Sequence, residues 1–150
     1  MLIEDGKFYF IKDEFKTLTI YVSEYQSGTL ISKSKVADLD YDGIDSPSRG
    51  VIAVVPDFES FKVKLIVADD YAKYSTDFPI LENIENREYY GRSATSIENK
   101  STIEYGTEQG LAALIYGEQG VSSLPIQDIT GEYIDTDNEY MYYYSVEFVK

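Results

Sequence analysis

The chain has 150 residues, with 27 acids against 13 bases, a formal charge of −14, and 43% hydrophobic residues. That length suits one domain with its own core, and the apolar content excludes a disordered acidic tail. The charge excludes bare DNA, RNA and anionic membranes as natural partners, while the absence of His and Cys removes imidazole catalysis, thiol nucleophiles, disulfides and nearly all zinc and iron sites.

In chain order, residues 1–6 are a short acidic lead-in. No apolar h-region follows, so no signal peptide is expected and the default location is cytoplasmic. Lys7–Ile11 reads as a strand. Thr17–Glu24 sets Leu18, Ile20 and Val22 against Thr17, Thr19, Tyr21 and Ser23. This period of two predicts a half-buried strand, in a hairpin with Lys7–Ile11. Tyr25–Gly28 is a turn and Thr29–Ser32 a short third strand. Lys33–Gly50, rich in Asp, Gly, Ser and Pro, is expected to be a loop.

Val51–Val55 is continuously apolar and branched, as in a central strand buried on both faces. Phe61, Val63, Leu65 and Val67 alternate as its hairpin partner. Asp69–Ser75 reads as a turn of helix or a loop. Pro79 opens PILENIENREYY, where Ile80, Leu81 and Ile84 at helical spacing predict a short helix. Gly91–Lys100 reads as a loop and Ser101–Tyr105 as a strand. Thr107–Tyr116 is the strongest helix: Thr107 caps, Glu108 suits the dipole, and Leu111, Leu114 and Ile115 form a stripe. After Pro125, Glu132–Asp135 and Tyr140–Val149 are expected to pair around Thr136–Glu139. The fold class is α+β: a single domain of mainly antiparallel β-hairpins with one or two short helices.

Charge is unevenly spread, because residues 101–149 hold nine acids and no base. Asp128, Glu132, Asp135, Asp137, Glu139 and Glu147, with Tyr133, Tyr140 and Tyr142 as anchors, are the candidate partner-binding set. Carboxylates at strand spacing imitate a row of phosphates, and tyrosine is a rigid, amphipathic interface residue. The expected partner is a basic protein, a nucleic-acid-binding host enzyme; the competing reading is a face kept acidic for solubility. Two other sets carry chemistry. Asp38, Asp40 and Asp42, followed by Gly43, open like a calcium loop, with Asp45 as a further ligand; the closing Glu of an EF-hand is replaced by Arg49. Arg87 and Arg92, beside Tyr89 and Tyr90, suit a phosphate or a stacked base. Asn99-Lys100-Ser101 matches a glycosylation sequon. No phosphate-binding loop is present.

In size and charge the chain resembles the small acidic proteins that bacteriophages and mobile elements use against host defences. Such a resemblance implies a non-catalytic inhibitor, in the form of a DNA mimic, and assigns no residue. The alternatives are a nucleotide- or calcium-binding module and a virion structural subunit. No catalytic motif and no cofactor other than calcium is expected.

Overall fold

Period-two alternation governs far more of the chain than the sequence pattern announces. The computed structural model describes residues 2–4, 7–11, 15–41, 49–57, 59–70, 72–97, 102–129 and 131–150. Ten strands run through them: β1 (Leu2–Glu4), β2 (Lys7–Ile11), β3 (Thr17–Gln26), β4 (Thr29–Asp40), β5 (Arg49–Asp57), β6 (Lys62–Ala68), β7 (Lys73–Pro79), β8 (Gly91–Ser96), β9 (Glu108–Gly117) and β10 (Tyr140–Val149). Helical structure among the described residues is limited to 3-10 turns at Arg87–Tyr89 and Ile126–Asp128. The fold is therefore mainly β rather than α+β. No helix among the described residues is long and apolar enough to cross a membrane.

The strands form two five-stranded antiparallel sheets, ordered β1-β2-β5-β6-β7 and β4-β3-β10-β9-β8. Their apolar faces meet in a sandwich. Phe8, Phe10, Ile52, Leu65 and Val67 of the first sheet share a core with Leu18, Ile20, Leu111, Val146 and Phe148 of the second. An aromatic cluster closes one end: the Phe148 ring lies 5.6 Å from Phe10 and 4.8 Å from Phe15, and Phe15 stands edge-on to Tyr41 at 5.7 Å. Gly50 is required beneath it, since a Cβ there would sit 2.1 Å from the Phe10 ring. At one side of the sandwich, Tyr74 of β7 donates its hydroxyl to the Val36 carbonyl of β4 at 2.9 Å, tying edge to edge.

The Val51–Val55 strand and its Lys62–Ala68 partner pair as expected in the middle of the sheet, but Val51–Val55 is not buried on both faces, since Val55 is exposed on the outer one. The turn at Ser27-Gly28 is also as expected. Both residues have positive φ (50° and 84°), the geometry of a two-residue hairpin turn. Other expectations are corrected. Lys7–Ile11 and Thr17–Glu24 do not pair with each other; β2 pairs β1 and β5, while β3 pairs β4 and β10. Lys33–Asp40 continues β4, and Gly91–Ser96 is β8 rather than loop. Where a strand was expected over Ser101–Tyr105, Tyr105 forms an isolated bridge to Phe148, and Ser101 lies outside the described residues. Residues 80–90 fold into turns, with Leu81, Asn83 and Asn86 at positive φ. Two of the three are asparagine, which tolerates that region best after glycine.

The largest correction is Thr107–Tyr116. It is no helix but β9, hydrogen-bonded to β10 on one side and β8 on the other. A short apolar run reads alike as a buried helix or a strand covered on both faces, and here both faces are covered. Leu111 and Leu114 face the sandwich interior, while Ala113 and Ile115 pack outward. Gly110 fits the strand because a Cβ there would meet the Tyr143 hydroxyl at 2.5 Å. The hairpin expected between Glu132–Asp135 and Tyr140–Val149 is also absent. β10 instead lies at the centre of its sheet between β3 and β9.

Residues 118–129 and 131–139 cross the outer face of that second sheet as a strap. Ile126, Ile129 and Ile134 bury themselves there against Tyr25, Ala113, Ile115 and Met141. The strap is stitched down by the Ile134 amide to the Gly28 carbonyl at 2.7 Å, and by the Tyr25 hydroxyl to the Gly131 carbonyl at 2.7 Å. The buried Asn138 side chain accepts from the Ser122 amide at 2.8 Å and donates to the Ser122 carbonyl at 2.9 Å.

Candidate functional site

The strap carries Glu118, Asp128, Glu132, Asp135, Asp137 and Glu139, with no base among its residues. Burial of its isoleucines turns the intervening polar positions outward. Asp128, at the end of the 3-10 turn, and Glu132, Asp135 and Asp137 are exposed. Tyr133 is 68% exposed although its backbone bridges Thr29. Six of the nine proposed partner-binding residues thus lie on the strap, and five of them, Asp128, Glu132, Tyr133, Asp135 and Asp137, are exposed.

The other four sit differently. Glu139 is half-buried and accepts the Glu118 amide at 2.6 Å. Tyr140 is half-buried beside Tyr90, with ring centroids 6.2 Å apart. Glu147 sits in the far half of β10, opposite Glu108 and Thr19. Eight strand steps separate it from Glu139, on the order of 25 Å. Tyr142 is only 5% exposed and lies inside the sandwich, so it is corrected from a partner anchor to a core residue. One acidic surface running from Asp128 to Glu147 is replaced by a strap and a separate position in the sheet.

Tyr142 belongs to a core cluster with Tyr116, Tyr144 and Val22. Its hydroxyl accepts the Leu81 amide at 2.7 Å. The hydroxyls of Tyr116 and Tyr144 are buried with no hydrogen-bond partner among the described residues. Burial pushes Tyr116 and Tyr142 up to about 12, and Tyr144 further still. Glu24, half-buried near this cluster, is also raised. Burial is the main cause and the Glu82 charge adds to it, against a lowering hydrogen bond from Ser32. A carboxyl raised in the fold contributes its stability below its unfolded value and loses it as the pH rises. Glu24→Gln is therefore expected to raise the melting temperature at pH 7 by about 1–2 °C, and the gain disappears near pH 4. Paired thermal melts at the two pH values check it.

Arg87 and Arg92 do not converge as a pair. The Arg87 guanidinium stacks over the Phe61 ring at 4.2 Å and donates to the Leu81 carbonyl at 3.5 Å. Tyr89 is 79% exposed, and Arg92 lies on the edge strand β8 opposite Tyr116. Tyr90 instead joins the strap's end. Its hydroxyl is raised by burial and by the Glu139 and Glu118 charges. Asp38 and Asp40 lie in β4, where extended backbone projects them rather than curling them around an ion. Asp38 accepts the Thr19 hydroxyl at 3.2 Å and pairs with Lys35 at 3.5 Å. Asp42, Asp45 and the Asn99-Lys100-Ser101 sequon lie outside the described residues. No group of metal-ligating side chains occurs among the described ones.

Two features escape the sequence reading. The first is a cleft of about 310 Å³ where the strap meets the sheet, lined by Tyr25, Leu30, Lys33, Glu108, Glu132 and Tyr143. Lys33 pairs there with Glu108 at 2.5 Å, and Glu108 also accepts the Ser145 hydroxyl. Burial, with the Glu108 charge, pushes the Tyr143 hydroxyl up to about 12. No signal marked this cleft, because Glu108 was read as helical.

The second is the outer face of the first sheet. β2, β5, β6 and β7 place Lys7, Arg49, Lys62, Lys64 and Lys73 on it, against only Asp57 and Asp77. Its centre is apolar: Tyr9 and Val55 are exposed, and Val51 and Ile66 partly so. The signal for this face was present in the alternation of Lys62 and Lys64 with Val63 and Leu65. No family model matches the chain, and no curated protein or solved structure matches it.

Proposed function

We propose that the chain is a non-catalytic acidic binding protein that inhibits a basic, nucleic-acid-handling protein by seating its strap in that protein's cationic groove. The observation that carries this reading is the display of Asp128, Glu132, Tyr133, Asp135 and Asp137 on one segment whose isoleucines are buried. A segment fixed in this way loses little conformational entropy on binding, and its carboxylates meet the Lys and Arg that otherwise hold phosphates. Tyr133 supplies the aromatic anchor. The inhibitor is of the anti-defence kind, and its site of action is the cytoplasm of the cell in which the partner works.

The test is capture on the immobilised chain at low salt, followed by purification of the bound basic protein and titration across a salt series. Binding is expected to weaken steeply with salt, and to fall about a hundredfold in a variant carrying D128N, E132Q, D135N and D137N. Affinity that stays flat with salt, or that ignores the variant, rejects the reading.

A small-ligand module is the second reading, favoured by the cleft between strap and sheet, where Lys33, Glu108 and two tyrosines line a space of about 310 Å³. Thermal melts with calcium and with a nucleotide panel discriminate, since a specific ligand raises the melting temperature by mass action.

A further inference from the structure

We propose that the basic outer face of β2, β5, β6 and β7 docks the acidic strap of a second copy of this chain, so that molecules associate head to tail. This rests on the reading of the strap as the contact surface and adds an occupant that the chain itself supplies. The two surfaces are the outward faces of opposite sheets, so one molecule presents both, pointing in opposite directions.

They are complementary in charge and in kind. The basic face carries Lys62 and Lys64 side by side with Val55 and Ile66, in a chain whose net charge is −14. Five bases against Asp57 and Asp77, the latter paired with Lys62 at 4.0 Å, leave this sheet face with an excess of positive charge in an otherwise acidic chain. The charged groups of the strap are all carboxylates and Tyr133 stands exposed among them, which suits an apolar centre ringed by lysines. A contact between two different surfaces is heterologous, and it generates rings or open chains rather than a two-fold dimer.

The experiment is sedimentation velocity of the full chain at low and high salt over a wide concentration range. At low salt the weight-average mass is expected to grow with concentration, about twofold or more, without a plateau at the dimer. High salt returns it to the monomer. A basic-face variant, Lys62→Glu with Lys64→Glu, and a strap variant, Asp135→Lys with Asp137→Lys, should each stay monomeric. Mixed together, they should associate again, because the intact strap of the first variant meets the intact basic face of the second and the two altered surfaces, Glu against Lys, are complementary with the charges reversed. All four side chains are exposed, and Lys7→Glu with Lys73→Glu provides a second basic-face variant should the first not fold. A wild-type chain that remains monomeric at low salt and high concentration overturns the proposal. So does a closed two-fold dimer, or a basic face that binds a duplex oligonucleotide in place of the strap. The basic-face variant keeps the strap whole. Lost self-association with partner capture intact separates this inference from the proposed function.

Discussion

Raising the pH to about 11 is expected to unfold this protein cooperatively, well before any backbone chemistry intervenes. Four buried tyrosines, Tyr41, Tyr116, Tyr142 and Tyr144, are held neutral by desolvation, all well above the ordinary phenol value of 10.0. The unfolded chain ionises near 10 and the folded one does not. The neutral form's contribution is whole below pH 10 and declines as the pH rises toward the folded values. One unit above the unfolded value, each suppressed phenol forfeits about 1.3 kcal/mol, so four together forfeit about 5 kcal/mol. That rivals the whole stability of an ordinary domain. The share of the tyrosinate absorbance that comes from these buried tyrosines should rise in the same step in which the far-ultraviolet circular dichroism is lost. Ionisation of these tyrosines with the sheet signal intact would contradict the argument. Tyr144→Phe removes a hydroxyl that has no hydrogen-bond partner among the described residues and should move the alkaline midpoint upward without loss at neutral pH.

Phe148→Ala is expected to cost about 3–5 kcal/mol and to lower the melting temperature by about 10 °C. Its ring is fully buried, in edge contact with Phe10 and Phe15, and its backbone pairs with Leu18 across the sheet. Truncation leaves a hole bordered by both sheets, and the neighbouring rings are too constrained to collapse into it. Val149→Ala, one residue on and facing solvent, should stay within about 0.5 kcal/mol. Urea titrations of the two variants check the contrast. Equal losses would mean that the aromatic cluster does not hold the sandwich together.

What the sequence made legible follows from where each strand sits. Interior strands such as Thr17–Gln26 and Lys62–Ala68 alternate apolar with polar residues and were readable. The edge strands were not. β1, β4, β7 and β8 border the two sheets, and each was read wholly or partly as lead-in, loop or turn. Edges carry Lys, Ser and Asp because an unpaired strand flank must resist further pairing, and that composition imitates a loop. β9 failed for the opposite reason: with apolar residues facing both the core and the strap, it lacked the alternation that marks a strand. The candidate surface was half legible. Charge counting found the acidic stretch, and Asp128, Glu132, Asp135 and Asp137 stand together on it. Register decided the rest. Tyr142 is even-numbered in a strand whose even positions face inward, a fact hidden until β10 has partners on both sides.

The central place of β10 has a temporal consequence. β3 and β4 form one hairpin and β8 and β9 another pair, but nothing joins them until residues 140–149 insert between them. Without that strand the second sheet is two unconnected halves, each with an unpaired strand flank where β10 would lie. Closing it brings together segments more than a hundred residues apart in the chain, so folding is slow and completes only once the last strand has been made.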